Sequence, residues 1–267
     1  MLKSVFDCSV SMGLYLGVLL SLLCCIQYAD AEEFPEFKIG ETIYENPLAS
    51  PEDVQDWVAE CDYEGRPIIT SSPKNEGMLR LYSDHHHFLL WCPKDFPDNI
   101  AVSWDFQPIA KVDERGLAMF WFAATGKDGK DLFDPDLQER DGDYNDYRKG
   151  DINALHAAYF RRNRGESPFQ VISMRKSMVD NNGPRVIMAP DPLPAPRYAD
   201  NPYRIQVVKH GPYVRFSING LKIFEWKDTG EHGAVLEGGK IGFRQMRGLI
   251  ADYANLKVHR VKIKKQD

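Results

Sequence analysis

Short runs in which large apolar residues alternate with smaller or polar ones recur along most of the chain, and turn-forming residues separate them. In residues 100–106 (IAVSWDF) every second residue is large and apolar. A strand sends successive side chains to opposite faces, so this period of two predicts a half-buried strand. Residues 117–124 (LAMFWFAA) are apolar on both faces, which is typical of a central strand covered on both sides.

The same reasoning predicts a hairpin in the C-terminal third of the chain. Further strands are expected at residues 203–208, 212–218, 221–226, 240–246 and 252–263. Asn219-Gly220 joins two of these runs, and Asn-Gly favours a two-residue turn because both turn positions need positive φ. We therefore expect residues 215–218 to pair with residues 221–224.

The overall pattern predicts an all-β fold with one short N-terminal helix. That helix is expected at residues 51–59 (PEDVQDWVA), with Ser50 as N-cap and Pro51 at the first helical position. Many short strands, frequent turns and little helical period predict a two-sheet antiparallel sandwich or jelly roll. No internal repeat is visible, and the proline-rich residues 190–202 form too short a stretch to separate domains. We expect one domain over residues 32–267.

The N terminus has the layout of a secretory signal peptide. Residues 12–26 are apolar and uncharged, and Ala29 and Ala31 place small residues before a cleavage point at Glu32. The apolar run is short for a membrane-spanning helix, which needs about 20 residues. Cleavage of residues 1–31 predicts a secreted or periplasmic protein without membrane contact; the alternative is an uncleaved N-terminal membrane anchor.

Composition excludes several classes of protein. With 43% hydrophobic and 12% aromatic residues, the chain has too much apolar surface for a disordered protein. The 33 Lys+Arg against 39 Asp+Glu give a net charge of −6 with no basic run, so we expect no nucleic-acid partner. Only Cys61 and Cys92 follow the signal peptide, and the sequence leaves open whether they pair or stay free.

Known metal and glycosidase patterns are incomplete in this chain. Residues 128–146 are rich in oxygen ligands and start like a calcium loop, but Asp146 stands where an EF-hand needs Gly. The Glu-x-Asp-x-x-Glu pattern of jelly-roll glucanases lacks its last carboxylate, because Tyr144 occupies that place. His-His-His at 85–87 has no further ligands at metal-site spacing. We expect no metal site and no cofactor, with calcium as the alternative.

The most unusual stretch is residues 144–164 (YNDYRKGDINALHAAYFRRNR), which concentrates Tyr, His and Arg. Aromatic rings stack on sugars, Arg binds carboxylates in a fork, and His or Tyr can transfer a proton. In a regular strand Asn153, Tyr159 and Arg161 would share one face and His156 the other, unless a bulge intervenes.

Motifs along the chain carry a resemblance to a known family. They are HFLLWCPKDFP (87–97), WDFQP (104–108), AMFWFAATGKDGKDLFDP (118–135), GDINALHAAYFRR (150–162), RKS (175–177), DPLP (191–194), FSINGLKIFEW (216–226) and GGKIGFRQM (238–246). The chain resembles the YesU-like family of concanavalin A-like jelly-roll proteins associated with bacterial polysaccharide utilisation. The resemblance implies the sandwich fold but no settled reaction. Where the family often has His before Gly-Asp-Ile-Asn, this chain has Arg148.

Together these observations predict a secreted carbohydrate-active protein. The leading hypothesis is an enzyme, a lyase or a hydrolase, that acts on plant or algal oligosaccharides, including acidic ones. The alternative is a non-catalytic, lectin-like glycan-binding module. His156 and Tyr159 are the candidate proton-transfer residues. The candidate substrate-binding residues are Asp105, Trp121, Tyr147, Asp151, Asn153, Arg161, Arg175, Lys176, Arg244 and Gln245.

Overall fold

Strands make up nearly all the regular structure of the described part of the chain. The computed structural model describes residues 33–62, 66–82, 86–109, 116–162, 169–170, 173–179, 185–188, 193–194, 201–246 and 248–265. Residues Glu36–Asp267 form one compact unit. The predicted signal peptide at 1–31, His85 and most of the proline-rich stretch at 190–202 lie outside these ranges. Among the described residues no helix is long and apolar enough to cross a membrane.

The strands follow one another along the chain with few helical interruptions. Their bounds are β1 Phe37–Asn46, β2 Val58–Cys61, β3 Ile68–Ser71, β4 Leu79–Tyr82, β5 His87–Trp91, β6 Ile100–Pro108, β7 Gly116–Gly126, β8 Ile152–Arg162, β9 Phe169–Gln170, β10 Ser173–Ser177, β11 Arg185–Met188, β12 Leu193–Pro194, β13 Tyr203–His210, β14 Tyr213–Ile218, β15 Leu221–Lys227, β16 Lys240–Met246 and β17 Ile250–Ile263.

These strands form two large antiparallel sheets. The back sheet has the order β15-β14-β13-β6-β17-β4-β3, and β1 also pairs with β17. The front sheet has the order β11-β10-β8-β7-β16-β5-β2, and β9 pairs with β12 separately. Neighbours in each sheet are often far apart in sequence, as in a jelly roll. The predicted all-β, two-sheet sandwich is confirmed.

The core lies between the two sheets and is dense in aromatic rings. Trp104 and Phe106 of β6 face Phe120 of β7 and Phe243 of β16, with ring centroids 4.4 Å apart for Trp104 and Phe120. Phe120 and its neighbours two residues away point into this core, as the alternation predicts. The intervening Met119 and Trp121 belong to a second apolar cluster on the outer side of the front sheet.

The helical segments differ from the sequence prediction. Residues Pro51–Val54 form a single 3-10 turn, and the chain is extended again in β2 from Val58, so the predicted helix at 51–59 is too long. The carboxylate of Asp53 accepts the backbone N–H of Ser50 at 2.9 Å and closes this turn. An α-helix, α1, spans Tyr144–Lys149 and was not predicted.

The predicted hairpin turn is present, with one change in register. Asn219 and Gly220 have φ of 51° and 78°, as a two-residue turn requires. Ile218 pairs with Leu221, as expected, but a bulge further along shifts the ladder, so that Phe216 pairs with Phe224. The predicted pairing of residues 215–218 with 221–224 is therefore correct only next to the turn.

Candidate functional site

A bulge in β8 decides which side chains share a face of the front sheet. Ala118 of β7 pairs with Phe160, but its neighbour Met119 pairs with Ala158, so Tyr159 is an extra residue in the ladder. The chain therefore reverses its parity at Tyr159. His156 and Arg161 come to the same, outer face, which the sequence allowed only in the presence of a bulge.

The outer face of the front sheet, here called the front face, centres on a stacked His–Trp pair. His156 lies parallel to Trp121, with ring centroids 4.0 Å apart and an interplanar angle of 11°. The ring of His156 is fully buried, its Nε2 lies 3.2 Å from Ser177 Oγ, and its Nδ1 has no partner in the described part of the chain. Burial, followed by the charges of Arg175 and Arg244, holds the pKa of His156 well below its ordinary value of 6.5. The imidazole is therefore neutral at neutral pH.

Residues 127–150, here called the covering segment, lie over this face and include α1. The ring of Tyr147 packs on Trp121 at 5.4 Å, and Tyr144 points its edge at His156 at 6.1 Å. Asp143 caps α1, because its carboxylate accepts the backbone N–H of Asn145 at 2.6 Å. Tyr147 is buried, whereas Tyr144 is only half-buried and is accessible from solvent.

A buried ion pair fastens the covering segment to the edge of the front sheet. Oε1 of Glu60 in β2 accepts Nη2 of Arg140 at 2.6 Å and Nε at 2.9 Å. Its Oε2 accepts Nε1 of Trp91 at 2.8 Å, and Arg140 also donates to the carbonyl of Leu132 at 2.8 Å. Both oxygens of Glu60 are thus occupied, so this carboxylate serves structure rather than proton transfer.

Arg244 brings a buried guanidinium to the centre of the front face. It donates from Nη2 to the carbonyl of Gly142 at 2.7 Å, and its Cζ lies 5.0 Å from the ring centroid of Tyr147 and 5.6 Å from that of Tyr144. Burial lowers the pKa of Arg244. Nε and Nη1 have no hydrogen-bond partner among the described residues. A buried cation whose donors are unused in this way favours an anionic or otherwise accepting group nearby.

Arg175 of β10 is a second arginine on the front face, and it is more accessible from solvent than Arg244. It pairs across the strands with His156, and its Nη1 donates to Tyr144 Oη at 3.2 Å. Arg175 is half-buried, and its Nε has no partner in the described ranges. Within those ranges neither Arg175 nor Arg244 forms an ion pair with a carboxylate. Exposed Arg161 lies on the same face and pairs across the strands with Leu117.

Four of the candidate residues lie elsewhere in the sandwich. Tyr159 is in the core, with its hydroxyl 3.4 Å from that of Tyr253. Gln245 is buried beside the same Tyr253 hydroxyl, at 2.9 Å. Lys176 points away from the front face and donates to Asp228 at 2.6 Å, and Asp105 lies in the back sheet. Strand parity explains the positions of Lys176 and Gln245, which directly follow Arg175 and Arg244.

Two further candidates hold the backbone around the front face. Asp151 Oδ2 accepts the backbone N–H of Gln138 at 2.7 Å, which ties the covering segment to the start of β8. Asn153 Oδ1 accepts the N–H of Val179 at 3.0 Å, just after β10. Asp105, in the back sheet, instead accepts hydrogen bonds from the side chains of Arg204 and Asn255.

Three carboxylates of the covering segment, those of Asp131, Asp134 and Asp136, pair with lysines. Lys130 lies 2.7 Å from Asp136 and 3.3 Å from Asp134, and Lys240 lies 2.8 Å from Asp131. In the ranges described above, no three His, Cys, Asp or Glu side chains come together in a way that could hold a metal ion. Cys61 and Cys92 are both free thiols, which answers the question that the sequence left open.

Sequence reasoning missed some residues that build the front face. Tyr144 lies inside the Tyr- and Arg-rich stretch, but only the fold shows that it contacts both Arg175 and His156. Glu60 and Arg140 are 80 residues apart and carry no shared local pattern. Their pairing depends on how the covering segment lies against β2.

The two sheets and the aromatic, arginine-rich front face define a class of protein, an antiparallel β-sandwich of the galectin and concanavalin A type. Residues 41–258 match the family model described as Domain of unknown function (DUF1961). The chain belongs to the DUF1961 family. It is 47% identical over 225 residues to the Uncharacterized protein YesU of Bacillus subtilis (strain 168), covering 84% of this chain and 97% of that protein. The predicted resemblance to the YesU-like family is confirmed.

Solved structures show the same fold. A Bacillus subtilis protein of unknown function with a galectin-like fold is 45% identical, covers 86% of this chain and 100% of its own, and superposes with a TM-score of 0.75. The kappa-carrageenase from Pseudoalteromonas carrageenovora, solved with an oligotetrasaccharide of kappa-carrageenan, superposes with a TM-score of 0.54 at 8% identity. That superposition covers 89% of this chain and 100% of the carrageenase, and at this identity it shows a likeness of fold alone.

Proposed function

We propose that the protein binds an acidic oligosaccharide on its front face, with Arg175 as the anchor for a carboxylate or sulfate group. The observation that carries this proposal is the state of Arg175. Its guanidinium is half-buried, is held against Tyr144 Oη at 3.2 Å, and has no carboxylate partner in the described part of the chain. A preorganised, partly desolvated Arg without a counter-ion suits a planar anion that it can bind in a bidentate fork.

The surroundings of Arg175 support the same ligand class. Tyr144 offers a half-buried ring at the edge of the face, and Arg161 adds a second cation on the same strand pair. Aromatic surface beside a guanidinium fits a sugar ring that carries an anionic substituent. The kappa-carrageenase that shares the fold was solved with an oligosaccharide, which supports a glycan as ligand but brings no residue to this chain.

A second candidate function is a lyase reaction, and the state of His156 favours it. The imidazole is neutral, and its Nδ1 is unpaired among the described residues. A neutral His can abstract a proton next to a carboxylate, and Tyr144 could return one to the leaving oxygen. Because His156 is fully buried, α1 would have to move before a substrate reached it, whereas binding at Arg175 needs no such motion. Binding is therefore the better supported function.

One experiment separates the two candidates. Oligogalacturonate, sulfated galactan and neutral oligosaccharides are titrated calorimetrically, and the same mixtures are followed for unsaturated uronate ends by ultraviolet absorbance. We expect Arg175→Gln to weaken binding of an acidic ligand about tenfold or more, since a hydrogen bond to a charged group contributes about 1.5–3 kcal/mol. Arg204→Gln, which removes an Arg of similar exposure from the back sheet, is the matched control.

The outcomes differ clearly between the candidates. Acidic ligands that bind wild type and the Arg175→Gln variant with equal affinity would contradict the proposed site. Release of unsaturated ends that stops in a His156→Gln variant would establish the lyase function. Binding without any product would establish a binding module.

We also propose that the protein is exported after cleavage of residues 1–31. Its support is the apolar run that ends in two small residues before Glu32. N-terminal sequencing of the protein from its native host is expected to begin near Glu32, and an intact Met1 on membrane-bound protein would overturn this proposal.

A further inference from the structure

A cavity lies at one end of the back sheet, where β1 and β17 continue past the first residue of β6. Arg260 of β17 pairs with Ile100 at the start of β6, and beyond this point β17 pairs only with β1, as far as Phe37 and Ile263. The space beside this ribbon has a volume of about 760 Å³. Its walls are formed by Lys38, Gly40, Glu41, Asn99, His210, Arg260, Val261 and Lys262.

Three of the residues that line this cavity, here called the basic cavity, are cations that share one face of the β1–β17 ribbon. Lys38 and Lys262 are direct cross-strand partners, so their side chains lie on the same face of the ribbon. Arg260 precedes Lys262 by two residues and shares that face. All three side chains are exposed, and His210 adds a further basic group, whereas Glu41 is the one acidic residue that lines the cavity.

These cations have no carboxylate partners in the described part of the chain. Lys38, Arg260 and Lys262 form no ion pair or hydrogen bond through their side chains there, although Glu41 lines the same cavity. Lysines elsewhere on the same strands behave differently, as Lys257 lies 3.5 Å from Glu45. Like charges directly opposite each other in a sheet are destabilising. A bound anion would relieve that repulsion.

Local backbone features keep the basic cavity open. The ladder between β1 and β17 is interrupted after Ile39, so Gly40 and Glu41 bulge opposite Arg260. A Cβ on Gly40 would lie 3.2 Å from the carbonyl oxygen of Arg260, so a larger residue would require β17 to shift by a few tenths of an ångström. Asn99, with φ of 62°, accepts the backbone N–H of Val261 at 2.8 Å and fixes the inner wall. The backbone of β1, β17 and Asn99 therefore forms part of the cavity wall.

We propose that the basic cavity is a second binding site for an acidic saccharide chain, one that carries sulfate or carboxylate groups on neighbouring sugars. Three cations on one face suit a ligand with several negative charges better than a single small ion. A nucleic acid is disfavoured, because the chain as a whole has a net charge of −6. The inference rests on residues other than those of the front face.

The test localises binding by NMR and measures it by calorimetry. A kappa-carrageenan tetrasaccharide supplies sulfate groups, tetragalacturonate supplies carboxylates, and cellotetraose is the neutral control. At low salt we expect the acidic ligands to shift the amide signals of Gly40, Asn99 and Val261, and cellotetraose to shift none of them. The ligand that shifts them more identifies the anionic group that the cavity prefers.

Charge-neutralising variants then test the cations themselves. Lys38→Gln combined with Lys262→Gln is expected to weaken binding at the cavity about tenfold, because each exposed ion pair contributes a factor of roughly two to five. Lys257→Gln removes the same charge from β17 outside the cavity and should leave binding unchanged. The melting temperature of the double variant should stay the same or rise, since a like-charge contact is removed.

Several results would overturn the inference. The first is that neither acidic ligand shifts the cavity amides, and the second is that Lys257→Gln weakens binding as much as the double variant does. The third is a large drop in the melting temperature of the double variant. The last is that a single-stranded oligonucleotide binds more tightly than either saccharide. Failure of the front-face proposal would be seen separately, as an affinity for acidic ligands that Arg175→Gln leaves unchanged. The amide shifts at the basic cavity should be the same in the Arg175→Gln variant as in wild type, because the two sites share no residues.

Discussion

Substituting Glu60 by Gln should loosen the covering segment at its main attachment to the front sheet. Glu60 is 8% exposed, and its carboxylate accepts three hydrogen bonds, two from Arg140 and one from Trp91. Gln has the same size, but its amide offers only one oxygen, so either the Arg or the Trp donor meets an NH2 group. Arg140, whose side chain is 5% exposed, is then left as a buried cation without its counter-ion.

The expected magnitude follows from that burial. Removing one partner of a buried ion pair costs about 3–5 kcal/mol, out of a total stability of roughly 5–15 kcal/mol for a typical domain. For a domain of this size each kcal/mol lowers the melting temperature by about 2–4 °C, so a fall of roughly 6–20 °C is expected. Urea unfolding followed by Trp fluorescence measures the free energy, and hydrogen exchange should show faster opening of residues 127–150.

Two comparisons make this prediction sharp. Arg140→Met added to Glu60→Gln should recover part of the loss, because the unpaired buried charge is gone. Asp136→Asn breaks the exposed ion pair with Lys130 on the same segment and should leave the melting temperature unchanged. A Glu60→Gln variant that unfolds at the wild-type urea concentration would refute the view that this ion pair fastens the covering segment.

Three other outcomes are expected. Because the folded state holds the pKa of His156 below the unfolded value of about 6.5, the free energy of unfolding should fall as the pH drops below about 6.5, by up to about 1.4 kcal/mol per pH unit. Urea titrations at several pH values should show this part of the slope in wild type but not in His156→Gln. Plots of unfolding free energy against pH that run parallel for the two proteins would contradict it. Gly220→Val should destabilise by about 1–3 kcal/mol, because Gly220 has φ of 78° and a β-branched residue resists that conformation; equal melting curves in calorimetry would count against the turn. A reducing agent should not change the melting temperature, since the thiols of Cys61 and Cys92 are both free; a fall would reveal a disulfide.

Much of the fold was predictable because strand alternation and turn chemistry are local properties. The period of two placed Trp104 and Phe106 on one buried face, and the turn at Asn219-Gly220 formed where the sequence predicted it. The helix at 51–59 was overestimated, because cap and proline signals mark where a helix begins but not how far it continues. The extended conformation from Val58 onward comes from pairing with β5, a tertiary contact.

The residue types of the candidate site were predictable from the sequence, but which of those residues lie together on one face was less so. The Tyr- and Arg-rich stretch led to His156, Tyr147 and Arg161, and motifs elsewhere led to Arg175 and Arg244, which the fold does bring to one face. Tyr159, Gln245, Lys176 and Asp105 were not distinguishable from them by sequence. Adjacent residues of a strand point to opposite faces, and a single bulge reverses that assignment for everything beyond it.

The sequence by itself determined the alternating strands, the tight turn at residues 219–220 and the supply of Arg, His and aromatic side chains, because each depends on residues next to one another. Only the tertiary structure decided that β8 bulges at Tyr159, that Glu60 meets Arg140 under the covering segment, and that Lys38 faces Lys262 across two terminal strands. Those contacts join residues far apart in the chain. Their partners are selected by which sheets can bury their apolar faces against each other, a condition that no local pattern encodes.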